Sequence, residues 1–323
     1  MRLLVVIVNY RTADLTIDCL RSLRGEIESL QDARVVVTDN ASGDDSPVRI
    51  ASAIAMNDWS RWVSFIPLDR NGGFAFGNNA AIRPAIVSAQ PPDYVLLLNP
   101  DTVVRPGALR ALTDFMDTKP EVGIAGSRLE DPDGTPQRSA FRFPTALSEL
   151  EEGARLGVIS RVFRNRIVAP PVPDAKCAVD WVAGASMIVR RSVFKAIGLL
   201  DERYFMYYEE VDFCRRANLA GWPCWYVPES RVVHLVGQSS GITDATQSRK
   251  RRPAYWFQSR RRYFLTHHGR PRTLLADILW AVGFAQWRLR RRITRAPEAD
   301  ADWLLADFVR HNLWAGDWDA VTK

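Results

Sequence analysis

Tyr207-Tyr208-Glu209-Glu210-Val211-Asp212 sets three acids within four residues, beside two aromatic rings. One carboxylate of such a group can take the proton from an attacking hydroxyl. Sugars stack on aromatic faces, so the two tyrosines, with Trp222 and Trp225 further along, suit a carbohydrate site. On a helix, Glu209 and Asp212 share one face and Glu210 points elsewhere, so the three acids have separate tasks. The competing reading is that acids in a first helical turn complement the helix dipole. Asn99-Pro100-Asp101 closes a fully apolar run, and Asp101 leaving a rigid strand suits a hard divalent cation such as Mg²⁺ or Mn²⁺. His234 ends another apolar run, 24 residues after Glu210, and imidazole is a common metal ligand, though more often a hydrogen-bonded core group.

Two further stretches suit a phosphate-bearing or ribose-bearing ligand. Asp39, in Val37-Thr38-Asp39-Asn40, stands where a strand hands a carboxylate to a polar turn. Asn71-Gly72-Gly73-Phe74 and Gly77 let backbone approach a ligand, and the helix that follows offers its N-terminus to an anion. No Gly-Lys-Ser/Thr follows, so this is not a P-loop.

These positions need a frame that gathers them. Apolar, β-branched runs at Leu3–Val8, 34–38, 62–67 and 94–98 predict buried strands. Helical spacing over 12–23, 47–56 and 78–88 fills the gaps, and Pro106 is expected to open another helix. Four strand–helix alternations with short connections predict an α/β fold: a mostly parallel sheet with helices on both faces. Ligands then sit at the carboxyl ends of the strands, where Asn9, Asp39, the 71–77 loop and Asp101 all fall. Beyond Ser127 the expectation is a turn at 131–134, a strand at 139–143 and an irregular insert with a short helix over 149–174. Strand-like sequence around Gly184, a helix at 208–218 and strands at 224–227 and 231–234 follow.

A chain of 323 residues with 47% hydrophobic and 25% charged residues has ample core material, which excludes a disordered or fibrous protein. No apolar run reaches the roughly 18–20 residues of a spanning helix. The first ten residues lack a secretory leader pattern, so the expected location is the cytoplasm or the inner membrane face. Cys19, Cys177, Cys214 and Cys224 form no C-x-x-C pair and read as reduced thiols. The net charge of +6 conceals an asymmetry: residues 249–295 hold 14 Lys and Arg against Asp277 alone, which leaves the remainder acidic.

Taken together, Val8-Asn9-Tyr10, the 37–44 segment, Asn71-Gly72-Gly73-Phe74, Asn99-Pro100-Asp101, Gly184-Ala185 with Arg190-Arg191, and 207–212 through His234 resemble family 2 glycosyltransferases, most of all the rhamnosyltransferase-type branch. The resemblance runs over about residues 1–245. It implies a GT-A catalytic domain, with a nucleotide-binding half at 1–127 and an acceptor-binding half at 128–245; the charge pattern adds a basic, helical C-terminal region at 246–323. It implies inverting transfer of a sugar, rhamnose among the candidates, from a nucleotide-diphosphate donor to a saccharide or lipid-linked saccharide. In that scheme Glu210 is the base, with Glu209 and Asp212 as substitutes. Asn9, Asp39, Asn71, Gly72 and Asn99 contact the donor, Gly184 and Ala185 line the sugar pocket, and Asp101 with His234 holds the cation. The sequence departs from the family pattern in having Asn99 at the first D-x-D position, and Glu210 where many relatives have Asp.

The basic segment interleaves arginines with aromatics, and 274–287 is apolar apart from Asp277 and Gln286. It reads first as a helix lying on an anionic membrane surface; docking on the protein body and a nucleic-acid patch are the alternatives. A nucleotidylyltransferase would want a glycine-rich loop after the first strand, which Asn9-Tyr10-Arg11-Thr12-Ala13 lacks. A non-catalytic sugar-nucleotide-binding protein would have little use for acids at 101 and 209–212.

Overall fold

The computed structural model describes residues 2–30, 32–235, 251–295, 300, 301 and 303–314. Eleven strands appear among them: β1 (Leu3–Asn9), β2 (Ala33–Asp39), β3 (Val63–Pro67), β4 (Tyr94–Leu98), β5 (Thr102–Val104), β6 (Ile124–Glu130), β7 (Ala140–Phe141), β8 (Cys177–Val179), β9 (Trp181–Val182), β10 (Ser186–Arg190) and β11 (Cys224–His234). The helices are α1 (Ala13–Ser29), α2 (Ser46–Met56), α3 (Gly73–Ile86), α4 (Ala108–Thr118), α5 (Ala146–Ala154), α6 (Gly157–Val162), α7 (Arg191–Ile197), α8 (Glu209–Leu219), α9 (Ala254–Thr294) and α10 (Leu304–Phe308).

The chain divides into two compact units. The first comprises Met1–Phe141, Pro171–Phe205 and Glu209–Gly241. Its nine-stranded sheet has the order β3-β2-β1-β4-β10-β6-β11-β5, with β8 added on β11. β3, β2, β1, β4, β6 and β11 run one way and β10, β5 and β8 the other. All seven residues of β1 are buried, as its unbroken apolar run requires for a central strand covered on both faces. Each such Leu, Ile or Val contributes roughly 1.5–3 kcal/mol by leaving water.

Several expectations are corrected here. The sequence around Gly184 is two strands, β9 and β10, with residues 183–185 as the bend between them. The two strands foreseen at 224–234 are one, β11, whose register shifts between Val227 and Arg231. The helix expected from Asn78 already begins at Gly73. Pro106 lies outside α4, whose boundary residue is Gly107 with φ +83°. The insert forms two helices, α5 and α6. Trp222 packs over Gly123 and Trp225 against Phe115, and both are half-buried there.

The second unit comprises Arg142–Pro170, Met206–Tyr208 and Ile242–Lys323. Residues 142–170 thus pack with the C-terminal region; the expected boundary at 245/246 and Arg249 lie outside the described residues. α5 crosses α9 at Gly153 and Gly283, where a Cβ on either would press into the other's backbone at 2.6 and 2.8 Å. α9 kinks at Gly269, which has φ +73°. Beyond the kink, Trp280 and Phe284 stack with each other at 4.7 Å, and Trp280 stacks on Phe308 at 4.0 Å. This aromatic face is therefore buried within the second unit itself. Arg260 is wholly buried, donating to Glu149 Oε2 at 2.7 Å and to Asp277 Oδ1 at 2.5 Å. Removing any member would leave a buried charge uncompensated.

Candidate active site

The parallel strands of the first unit deliver their loops to one edge. There Asn9, at the end of β1, donates through Nδ2 to Asp39 Oδ1 at 2.6 Å. Ser42 donates to the same carboxylate through Oγ at 2.6 Å and through its backbone N–H, to Oδ2, at 3.0 Å. Asn9 Oδ1 in turn accepts from Thr12 and Thr16. Both Asn9 and Asp39 are buried, so their first task is to set the shape of the loop. A carboxylate offers about four acceptor positions, which leaves Oδ2 of Asp39 with one to spare.

The glycine loop is tied to the same edge. Asn40 Nδ2 donates to Gly73 O at 2.9 Å, and Asn71 Oδ1 accepts from Gly73 N at 3.0 Å. Gly72 is the cap of α3. Phe74 N donates to Phe205 O at 2.9 Å, which fastens the loop to the segment leading into α8. Gly73 has φ +86°, and a Cβ there would lie 1.8 Å from Phe205 O. Gly73→Ala is therefore expected to cost at least about 2 kcal/mol, from left-handed strain plus displacement of the Phe205 backbone. Thermal melting of the purified variant checks this; a native-like melting temperature contradicts it.

Register aligns the rest. Ser186 pairs with Leu98, so Gly184 and Ala185 lie just beyond the end of β4, and Asn99 N donates to Ala185 O at 3.0 Å. His234 pairs with Thr102, and Leu235 N donates to Asp101 O at 2.9 Å. These ladders bring His234 Nε2 to 3.5 Å from Asp101 Oδ1, with Asp101 1% exposed. Gly184 borders Glu210: a Cβ on it would meet the Phe74 ring at 3.4 Å and Glu210 Cβ at 3.8 Å. Asn99 thus meets Ala185, His234 meets Asp101, Gly184 borders both Phe74 and Glu210, and Asn40 holds Gly73.

The three acids of α8 diverge. Asp212 is buried and accepts from Arg216 Nε at 2.7 Å, while Arg216 also donates to Ile197 O and Leu199 O. That links α8 to the end of α7. Glu209 is buried, and burial together with the neighbouring Glu210 charge holds its carboxyl well above the usual range. Glu210 is half-buried, but its Oε2 is out of solvent contact with no hydrogen-bond partner among the described residues. Burial pushes its carboxyl up to about 7. A carboxylate poised there takes protons efficiently at neutral pH.

Sequence reasoning missed Phe205 as a neighbour of this edge; its only trace was its place just before the acids. It also missed that Tyr207 and Tyr208 both have φ +69°, in the second unit. Each costs on the order of 1–2 kcal/mol in that conformation. Tyr207 stacks on Tyr255 at 6.3 Å and Tyr208 tilts against Tyr263 at 5.4 Å.

The donor set at Asp101 and His234 fits a divalent cation. One carboxylate and one imidazole face each other across 3.5 Å, and Mg²⁺ or Mn²⁺ takes its remaining oxygens from water and substrate phosphate. No group of three or more His, Cys, Asp or Glu gathers among the described residues, so the protein by itself would supply few ligands.

Comparison with known proteins shows the family and the fold. The chain is 31% identical over 227 residues to the N-acetylglucosaminyl-diphospho-decaprenol L-rhamnosyltransferase of Mycobacterium tuberculosis (strain CDC 1551 / Oshkosh), covering 66% of this chain and 69% of that protein. It is 31% identical over 169 residues to the rhamnosyltransferase WbbL of Escherichia coli (strain K12), covering 50% of this chain and 60% of that one. Among solved structures, the mannosyltransferase PcManGT from Pyrobaculum calidifontis, in complex with GDP-Man and Mn²⁺, superposes with a TM-score of 0.55 at 14% identity. That match covers 99% of this chain and 84% of the other, and the fold is GT-A. The family model described as "Glycosyltransferase like family 2" matches residues 2–262, and the chain belongs to that family of glycosyltransferases.

Proposed function

We propose that the protein moves a deoxyhexose such as rhamnose from a nucleotide-diphosphate donor to a lipid-diphosphate-linked saccharide, with inversion at the anomeric carbon. The observation that supports this reading is the strand register that sets His234 on Asp101 and Ala185 on Asn99, with Gly184 bordering Glu210. On this reading the cation-capable pair and the base of raised pKa serve one site. The rhamnosyltransferases to which the chain is similar support the sugar, and the diphospho-decaprenol named for one of them supports the acceptor. The expected setting is the inner face of the cell membrane, where a nucleotide sugar and a lipid-linked acceptor meet.

In this reading residues 1–127 hold the nucleotide and 128–245 the acceptor. Asp39, held by Asn9, offers the spare acceptor position of Oδ2 to ribose or base, and Asn71, Gly72 and Asn99 border the diphosphate. Gly184 and Ala185 leave space for the sugar. Asp101 and His234 would hold a divalent cation, which neutralises charge on the departing diphosphate when bound. Glu210 Oε2 accepts the proton of the acceptor hydroxyl as its oxygen bonds to the anomeric carbon and the bond from that carbon to the diphosphate breaks. Glu209 stays protonated beside it, and Asp212 anchors the helix.

The direct test incubates the protein with a panel of nucleotide-diphosphate sugars, Mn²⁺ and a lipid-diphosphate-linked saccharide, and resolves the products by chromatography. A lengthened saccharide from a deoxyhexose donor is expected. No transfer or hydrolysis with any donor and metal would instead identify a sugar-nucleotide-binding protein. The pH profile follows from Glu210: kcat/KM should rise about tenfold per unit up to pH near 7 and level off above it, because only the ionised base is active. A profile flat from pH 5 to 8 contradicts that role.

A further inference from the structure

The helix beyond the Gly269 kink has two apolar faces. One, with Ala276, Trp280 and Phe284, is buried within the second unit. On the other, Leu274, Leu275, Ile278, Val282, Leu289 and Ile293 are 41% to 74% exposed. At 100° per residue these six fall on one stripe opposite the buried face. At 1.5 Å per residue the stripe is about 29 Å long. Arg270 and Arg292 flank it on one edge and Arg272 on the other, all three exposed. Asp277, the one acid of this helix, lies on the buried side against Arg260.

We propose that this outward stripe is a membrane-docking surface, lying in the interface of an anionic bilayer with the helix axis parallel to the plane. Among the described residues no helix is long and apolar enough to cross a membrane, so the contact is interfacial. The charge pattern selects the partner. A two-fold contact with a second copy would set arginine edges against arginine edges, whereas anionic headgroups supply the opposite charge and the acyl boundary takes the leucines. The sequence marked 274–287 as apolar without choosing a face; Trp280 and Phe284 are buried in the second unit, so the face left for lipid is the aliphatic one. The inference holds whatever sugar the enzyme moves.

Flotation of the full chain with vesicles of phosphatidylcholine and phosphatidylglycerol, against phosphatidylcholine alone, tests it. Native protein should float with the anionic vesicles at low salt, with binding that weakens as salt rises. The triple substitution Leu275→Glu, Val282→Glu and Leu289→Glu should reduce partitioning at least tenfold while the circular dichroism spectrum stays native. Should the triple variant unfold, Val282→Glu alone and Arg272→Glu with Arg292→Glu should each lower anionic-vesicle binding several-fold. Native protein that floats with neither vesicle overturns the proposal, as does a folded stripe variant that floats like the native chain. A native dimer that the stripe variants convert to monomer, without vesicle binding, also overturns it in favour of self-association.

Discussion

Glu210→Gln should lower kcat by about 10²–10⁴-fold, the usual worth of a positioned general base, with donor affinity unchanged. The amide keeps the shape of the side chain beside Gly184 and Phe74 but cannot take a proton. A second readout separates this role from mere damage. The folded-state pKa of Glu210 is raised to about 7 from 4.5, so between those values the folded state binds more protons than the unfolded one. Stability must therefore fall as pH rises from about 4.5 to 7 and stay lowered above it. Glu210→Gln removes that loss: at pH 8 the variant should melt at a higher temperature than the native enzyme while being nearly inactive. A variant that is both inactive and less stable at pH 8 would point to a structural role. Glu209→Gln, at a carboxyl already held neutral by burial, should change the rate much less.

Asp101→Asn is the second large effect. The substitution keeps a polar, isosteric group in a buried place but removes the charge that faces His234 at 3.5 Å. Charge stabilisation by a bound divalent cation is worth several kcal/mol, so kcat/KM should drop about 10³-fold or more. Excess Mn²⁺ should not restore it. Chelation of the native enzyme should abolish transfer, with recovery on adding Mg²⁺ or Mn²⁺, and His234→Ala should need more metal for the same rate. Full activity of the native enzyme in excess chelator contradicts this assignment.

Much of this site was legible because its parts are local. β1 and β4 announce themselves as unbroken apolar runs and β2 as a β-branched one, and Asn9, Asp39 and Asn99 stand at their ends. The divergence of Glu209, Glu210 and Asp212 follows from helical geometry alone. What the sequence hid is set by distant partners. The three residues of β5 are too few to carry a pattern, and they form a strand because Val232–His234 pairs with them. β9 and β10 read as one run until Asn99 is seen to bond Ala185 across the bend. α5 is hard to read locally because it is stabilised by a partner 111 positions away, as Glu149 on Arg260 shows. The engagement of Asp212 by Arg216, at helical spacing of four, is legible in the sequence. The burial of Asp39 was not, since it depends on Asn9 and Ser42 closing over it from two loops.

Calorimetric titration of a nucleotide-diphosphate sugar with Mn²⁺ into native protein, Asp101→Asn and Glu210→Gln, with transfer assayed on the same samples, probes whether one edge of the sheet joins cation, donor and base. Native protein and Glu210→Gln should bind the donor alike, Asp101→Asn at least tenfold more weakly, and only the native chain should transfer the sugar. Donor binding by Asp101→Asn equal to native, or native-rate transfer by Glu210→Gln, would contradict the account.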